Sequence, residues 1–110
     1  MVLLVMILPD DEVLEEILEA FLELGITGAT VLDARGMGEI LAREVPIFAG
    51  LRGLFPGAEQ SRHLVLSVCD RDLAGEAVAI LRDIGRLDQR GTGVAFTLPV
   101  EATWGLAREL

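Results

Sequence analysis

Apolar residues fill positions Val2 to Leu8 without interruption, and Pro9, Asp10 and Asp11 close the run. A short apolar run bounded by proline predicts a buried strand. It is about half as long as a membrane span and no cationic segment precedes it, so it predicts neither an anchor nor a signal peptide. Leu14, Ile17, Leu18, Phe21 and Leu22 then recur at helical spacing, with Glu15, Glu16, Glu19 and Glu23 between them. This is the pattern of an amphipathic helix. Asp10, Asp11 and Glu12 suit its N-terminal dipole, and Gly25 suits its C-terminal stop. Thr27 to Ala34, rich in Thr, Val and Leu, predicts a second strand, broken by Gly36, Met37 and Gly38.

Residues 39–62 keep no clean period and contain Pro46, Gly50, Gly53, Pro56 and Gly57. They predict a long loop, a feature that is uncommon inside compact domains and usually functional. Leu64, Leu66 and Val68 alternate with Val65 and Ser67 in a third strand. Asp70 or Asp72 is placed to cap a second helix, whose stripe is Leu73, Ala77, Ile80, Leu81 and Ile84 and whose stop is Gly85. The turn Gly91-Thr92-Gly93 leads into a fourth strand with Val94, Phe96 and Leu98 on one face, closed by Pro99. A short element is expected around Trp104.

Strand, helix, strand therefore occur twice, in residues 2–35 and 64–98, with a long connection between them. The economical arrangement is a single α+β domain over residues 1–110, a ferredoxin-like βαββαβ sandwich with a four-stranded antiparallel sheet and both helices on one face. A solvated second face would carry polar residues at alternate positions. These strands are apolar on both faces, so the bare face predicts burial against further copies of the chain.

Composition narrows the function. The 110 residues are 52% hydrophobic with a formal net charge of −9, which disfavours nucleic acid and anionic membrane surfaces as partners. All nine cations are Arg, and Lys and Tyr are absent. A single Cys, Cys69, fits a reducing cytoplasm, and neither it nor the single His, His63, completes a soft-metal shell. His63 and Cys69 fall at opposite ends of one strand, so they form no nucleophile–base pair. The carboxylates of the first helix are spaced as a solvated face, and no catalytic constellation emerges. The chain reads as a non-enzyme.

Gly25-Ile26-Thr27-Gly28-Ala29-Thr30-Val31 followed by Arg35-Gly36-Met37-Gly38 resembles the second strand of the nitrogen regulatory PII signalling proteins. Gly91-Thr92-Gly93 with Phe96-Thr97-Leu98-Pro99-Val100-Glu101 resembles their B-loop and last strand. Residues 39–62 correspond in position to the family's T-loop, without matching it in sequence. The resemblance implies a homotrimer with its sheets packed inward, and an adenine nucleotide held in clefts between subunits. It also implies a T-loop that docks on a regulated transporter or enzyme. The cleft residues it implies here are Thr30, Gly36, Met37, Gly38 and Val68, together with Arg90, Gly91, Thr92 and Gly93.

The phosphate-binding cations of that family are largely replaced. Val94 stands where a basic residue follows the B-loop glycine, and Gly105 and Ala107 stand where two Arg reach the phosphates. Glu39-Ile40 replaces the Arg-Gln pair that opens the T-loop. Each charge-assisted hydrogen bond contributes on the order of 1.5–3 kcal/mol, so these losses point to a ligand less charged than ATP, a mononucleotide or a small anion. The stretch from Pro46 to Gly57 is unusually apolar for an exposed loop. Ile47, Phe48, Leu51, Leu54 and Phe55 would either pack onto the trimer or anchor a partner, with Arg43 and Arg52 as polar handles. Two other readings are a ligand-free scaffolding trimer and a divalent-cation tolerance protein of the CutA type, in which Asp33 and Glu39 would hold a hard cation.

Overall fold

The computed structural model describes residues 1–44, 47, 62–85, 87 and 93–106. In chain order the elements are β1 (Val2–Leu8), α1 (Asp11–Leu24), β2 (Thr30–Ala34), α2 (Met37–Glu44), β3 (Arg62–Cys69), α3 (Arg71–Gly85) and β4 (Val94–Pro99). The strands form one antiparallel sheet in the order β2-β3-β1-β4. This is the ferredoxin-like α+β arrangement expected from the sequence.

Register decides which face each residue serves. Val2, Leu4, Met6 and Leu8 of β1 pair with Cys69, Ser67, Val65 and His63 of β3, and all eight are buried. This face meets Ile17 and Phe21 of α1 and Ala74, Ala77 and Leu81 of α3 in one core. The other face carries Leu3, Val5 and Ile7, which pair with Leu98, Phe96 and Val94 of β4. No described helix covers it, and Val94, Phe96 and Leu98 are each 43–50% exposed.

The ends of α1 follow local chemistry. Asp10 is the N-cap and its carboxylate accepts a hydrogen bond from the Val13 amide at 2.9 Å. Gly25 ends the helix in the left-handed region at φ 86°, a conformation that glycine adopts without steric cost.

Three boundaries differ from the sequence reading. The opening of the 39–62 connection is not loop: Met37–Glu44 forms α2. Met37, Ile40, Leu41 and Glu44 keep helical spacing there, and the Ile40 amide donates to the Gly36 carbonyl at 3.1 Å. The glycines flanking Met37 disguise this short helix as a turn. Strand β2 begins at Thr30 and not at Thr27, because residues 25–29 leave the sheet plane to build the wall described below. Around Trp104 there is a bend and neither helix nor strand.

Candidate functional site

The wall between α1 and β2 is held by β3. Ser67 Oγ, buried on the helix side of the sheet, donates to the Gly28 carbonyl at 2.6 Å. This bond ties residues 25–29 to β3, and a groove of about 510 Å³ lies beside them. Thr27, Gly28 and Thr30 form one side of it, Leu66 and Val68 the other, and Asp70 stands at the start of α3. Leu106 of the C-terminal segment closes it against Met1. Asp70 is the charged side chain among the described residues lining it. Cys69 also lines it, and burial pushes its thiol pKa up, with the nearby Asp70 carboxylate acting in the same direction.

Of the residues expected in the cleft, Thr30 and Val68 share this groove. Gly36, Met37 and Gly38 lie at the other end of the sheet. Ala34 pairs with Arg62, and Thr30 pairs with Leu66, so β2 carries the chain about 13 Å away from the groove before α2 starts. A Cβ on Gly36 would stand 3.1 Å from Arg62 Nε. Met37 is 72% exposed. Gly93 also lies at that far end, but on the opposite edge, beyond β1. Its φ is 133°, and a Cβ there would come within 2.9 Å of the Ile7 carbonyl oxygen. Three inter-strand steps, about 14 Å, separate the β2 and β4 edges. One copy of the chain thus keeps these groups apart. Arg90, Gly91 and Thr92 fall outside the described residues, as do Phe48, Leu51, Arg52, Leu54 and Phe55.

At the foot of α2, Arg35 and Glu44 form an exposed ion pair at 2.5 Å, and the hydrogen bond that Arg35 donates to the Glu44 carboxylate raises its already high pKa. Arg43 Nη1 stands 3.5 Å from Glu39 Oε1. Glu39 is buried. Ile47 is 78% exposed. His63 lies between two carboxylates, its Nε2 2.5 Å from Asp11 Oδ1 and its Nδ1 3.4 Å from Asp33 Oδ1. It ties the first turn of α1 to the edge strand, far from Cys69.

Sequence reasoning missed Ser67, Asp70 and Leu106 as groove residues. The polar Ser67 within the apolar stretch from Leu64 to Val68 was the available signal for the first. Among the described residues, no group of three or more His, Cys, Asp or Glu is placed to hold a metal ion. No described helix is long and apolar enough to cross a membrane. No curated protein matches the chain. The family model for nitrogen regulatory protein P-II matches residues 2–109, nearly the whole length. With the antiparallel β2-β3-β1-β4 sheet and its glycine-rich strand ends in place, the chain belongs to the nitrogen regulatory protein P-II family, a family of signal-transduction regulators.

Proposed function

We propose that the chain acts as a cytoplasmic homotrimeric regulator, one domain per subunit. Clefts between its subunits would sense a small molecule and pass the signal to a regulated protein through residues 39–62. The observation that carries this reading is the separation of the cleft groups within one copy. Thr30 and Val68 stand at one end of the sheet, and Gly36 and Gly93 stand at the other end on opposite edges. Packing the β2 edge of one copy beside the β4 edge of the next would bring such groups together. The bare apolar face bearing Val5, Phe96 and Leu98 supplies the driving force for that packing.

The ligand class follows from charge. Asp70 lines the groove and no described Arg does, so no guanidinium there would neutralise the charge of a triphosphate. An adenine mononucleotide or a small anion fits better, with backbone N–H groups of the glycine turns as donors. The ligand would act by population shift, contacting the start of α2 differently in its two states.

Sedimentation equilibrium and titration calorimetry test the reading together. The expected mass is three times the 11.9 kDa of one chain, and AMP, cyclic AMP or bicarbonate should bind more tightly than ATP. A monomeric mass removes the clefts. A trimer that binds none of these ligands would instead favour a scaffold.

A further inference from the structure

Two helices cover only part of a four-stranded sheet. Helices α1 and α3 pack against each other and over β3 and β1, so among the described residues neither of them covers the helix side of the β2 edge. Val31 points to that side, since it pairs with the buried Val65, yet it is 40% exposed. The flank of α1 that overlooks this strip is identified by Asp11, which reaches across to His63 beside Asp33 of β2. Asp11, Leu18 and Leu22 fall within about 40° of one another around the helix axis. The same flank therefore presents Leu18 and Leu22, 36% and 68% exposed.

Leu18, Leu22 and Val31 thus border an apolar notch between α1 and the sheet edge. Its rim is acidic. Glu15 and Glu19 follow the leucines around α1, and the Asp11 and Asp33 side chains are 81% and 98% exposed. Helix α1 carries no cationic residue.

We propose that this notch is a docking site for a basic amphipathic helix of a partner protein. A helix laid over β2 beside α1, at the usual spacing of about 8–10 Å, would continue the existing helix layer. Its apolar stripe would cover Leu18, Leu22 and Val31, and its Arg or Lys residues would meet the rim carboxylates. The acidic rim, on a helix without a cationic residue, favours a cationic partner segment. The site lies on the helix layer.

The test uses the full chain, ¹⁵N-labelled, and two synthetic peptides of identical Leu and Arg content, one spaced as an amphipathic helix and one scrambled. The helical isomer should bind at least tenfold more tightly, shifting amide signals of residues 11–24 and 30–34. Leu22→Glu and Glu19→Arg, both at the surface, should each weaken it tenfold or more. Equal binding of the two isomers, or signals shifting mainly on β4, overturns the proposal. So does a change in oligomeric mass caused by Leu22→Glu, which would make the notch an interface between copies.

Discussion

Ser67 Oγ and the Gly28 carbonyl meet at 2.6 Å although 39 positions separate them. The bond fixes the chain between α1 and β2 against the centre of β3 and so sets the shape of the groove. Ser67→Ala removes the donor, while the exposed Gly28 can turn to water. A net loss of about 1 kcal/mol in urea unfolding is expected. Amide exchange should quicken chiefly in residues 25–29.

Gly93 and Gly28 should respond in opposite ways to alanine. At Gly93 the backbone has φ 133° and a Cβ would press on the Ile7 carbonyl, whereas at Gly28 nothing stands within 4 Å. Gly93→Ala is expected to cost about 1–3 kcal/mol, and Gly28→Ala less than about 1 kcal/mol. Thermal unfolding of the two variants side by side checks the contrast. Equal losses would contradict the strain assigned to Gly93.

Cys69 gives the protein an alkaline sensitivity. Burial raises its thiol pKa in the folded state, with Asp70 adding to the effect. The unfolded chain therefore releases the thiol proton first as pH rises. Stability from this group is intact below about pH 8.5, where an unfolded thiol ionises, and it falls above that until the folded thiol ionises too. The slope is at most about 1.4 kcal/mol per pH unit. Cys69→Ala should flatten that part of the stability–pH curve, and iodoacetamide should label native Cys69 far more slowly than the unfolded thiol.

The bare face of the sheet predicts the effect of a charge. Phe96, opposite Val5, is 43% exposed in one copy. Burying such a side chain stabilises by about 1.5–3 kcal/mol. Phe96→Asp, repeated in every copy, should lower the sedimentation mass while leaving the circular dichroism of the subunit intact. An unchanged mass would place the contact between copies elsewhere.

Much of the fold was legible because periodicity and punctuation agreed. The acidic start, the leucine stripe and Gly25 placed α1, and alternation placed β3. Helix α2 was hidden because Gly36 and Gly38 read as a turn around Met37, and eight residues are too few for a persuasive period. The start of β2 was misjudged because Thr27 has strand propensity, but its neighbour Gly28 is claimed by Ser67. The partnership of His63 with Asp11 and Asp33 was not legible, since nothing local relates positions 52 and 30 residues apart.

The place of β1 in the sheet has a consequence for biosynthesis. Its apolar residues leave the ribosome before either of its partners, since β1 pairs with β3 on one side and β4 on the other. The last of these partners, β4, is translated some ninety residues later. Until then a sticky segment waits with an unsatisfied edge, so folding is slowed by long-range pairing and the nascent chain is open to capture by chaperones or to aggregation.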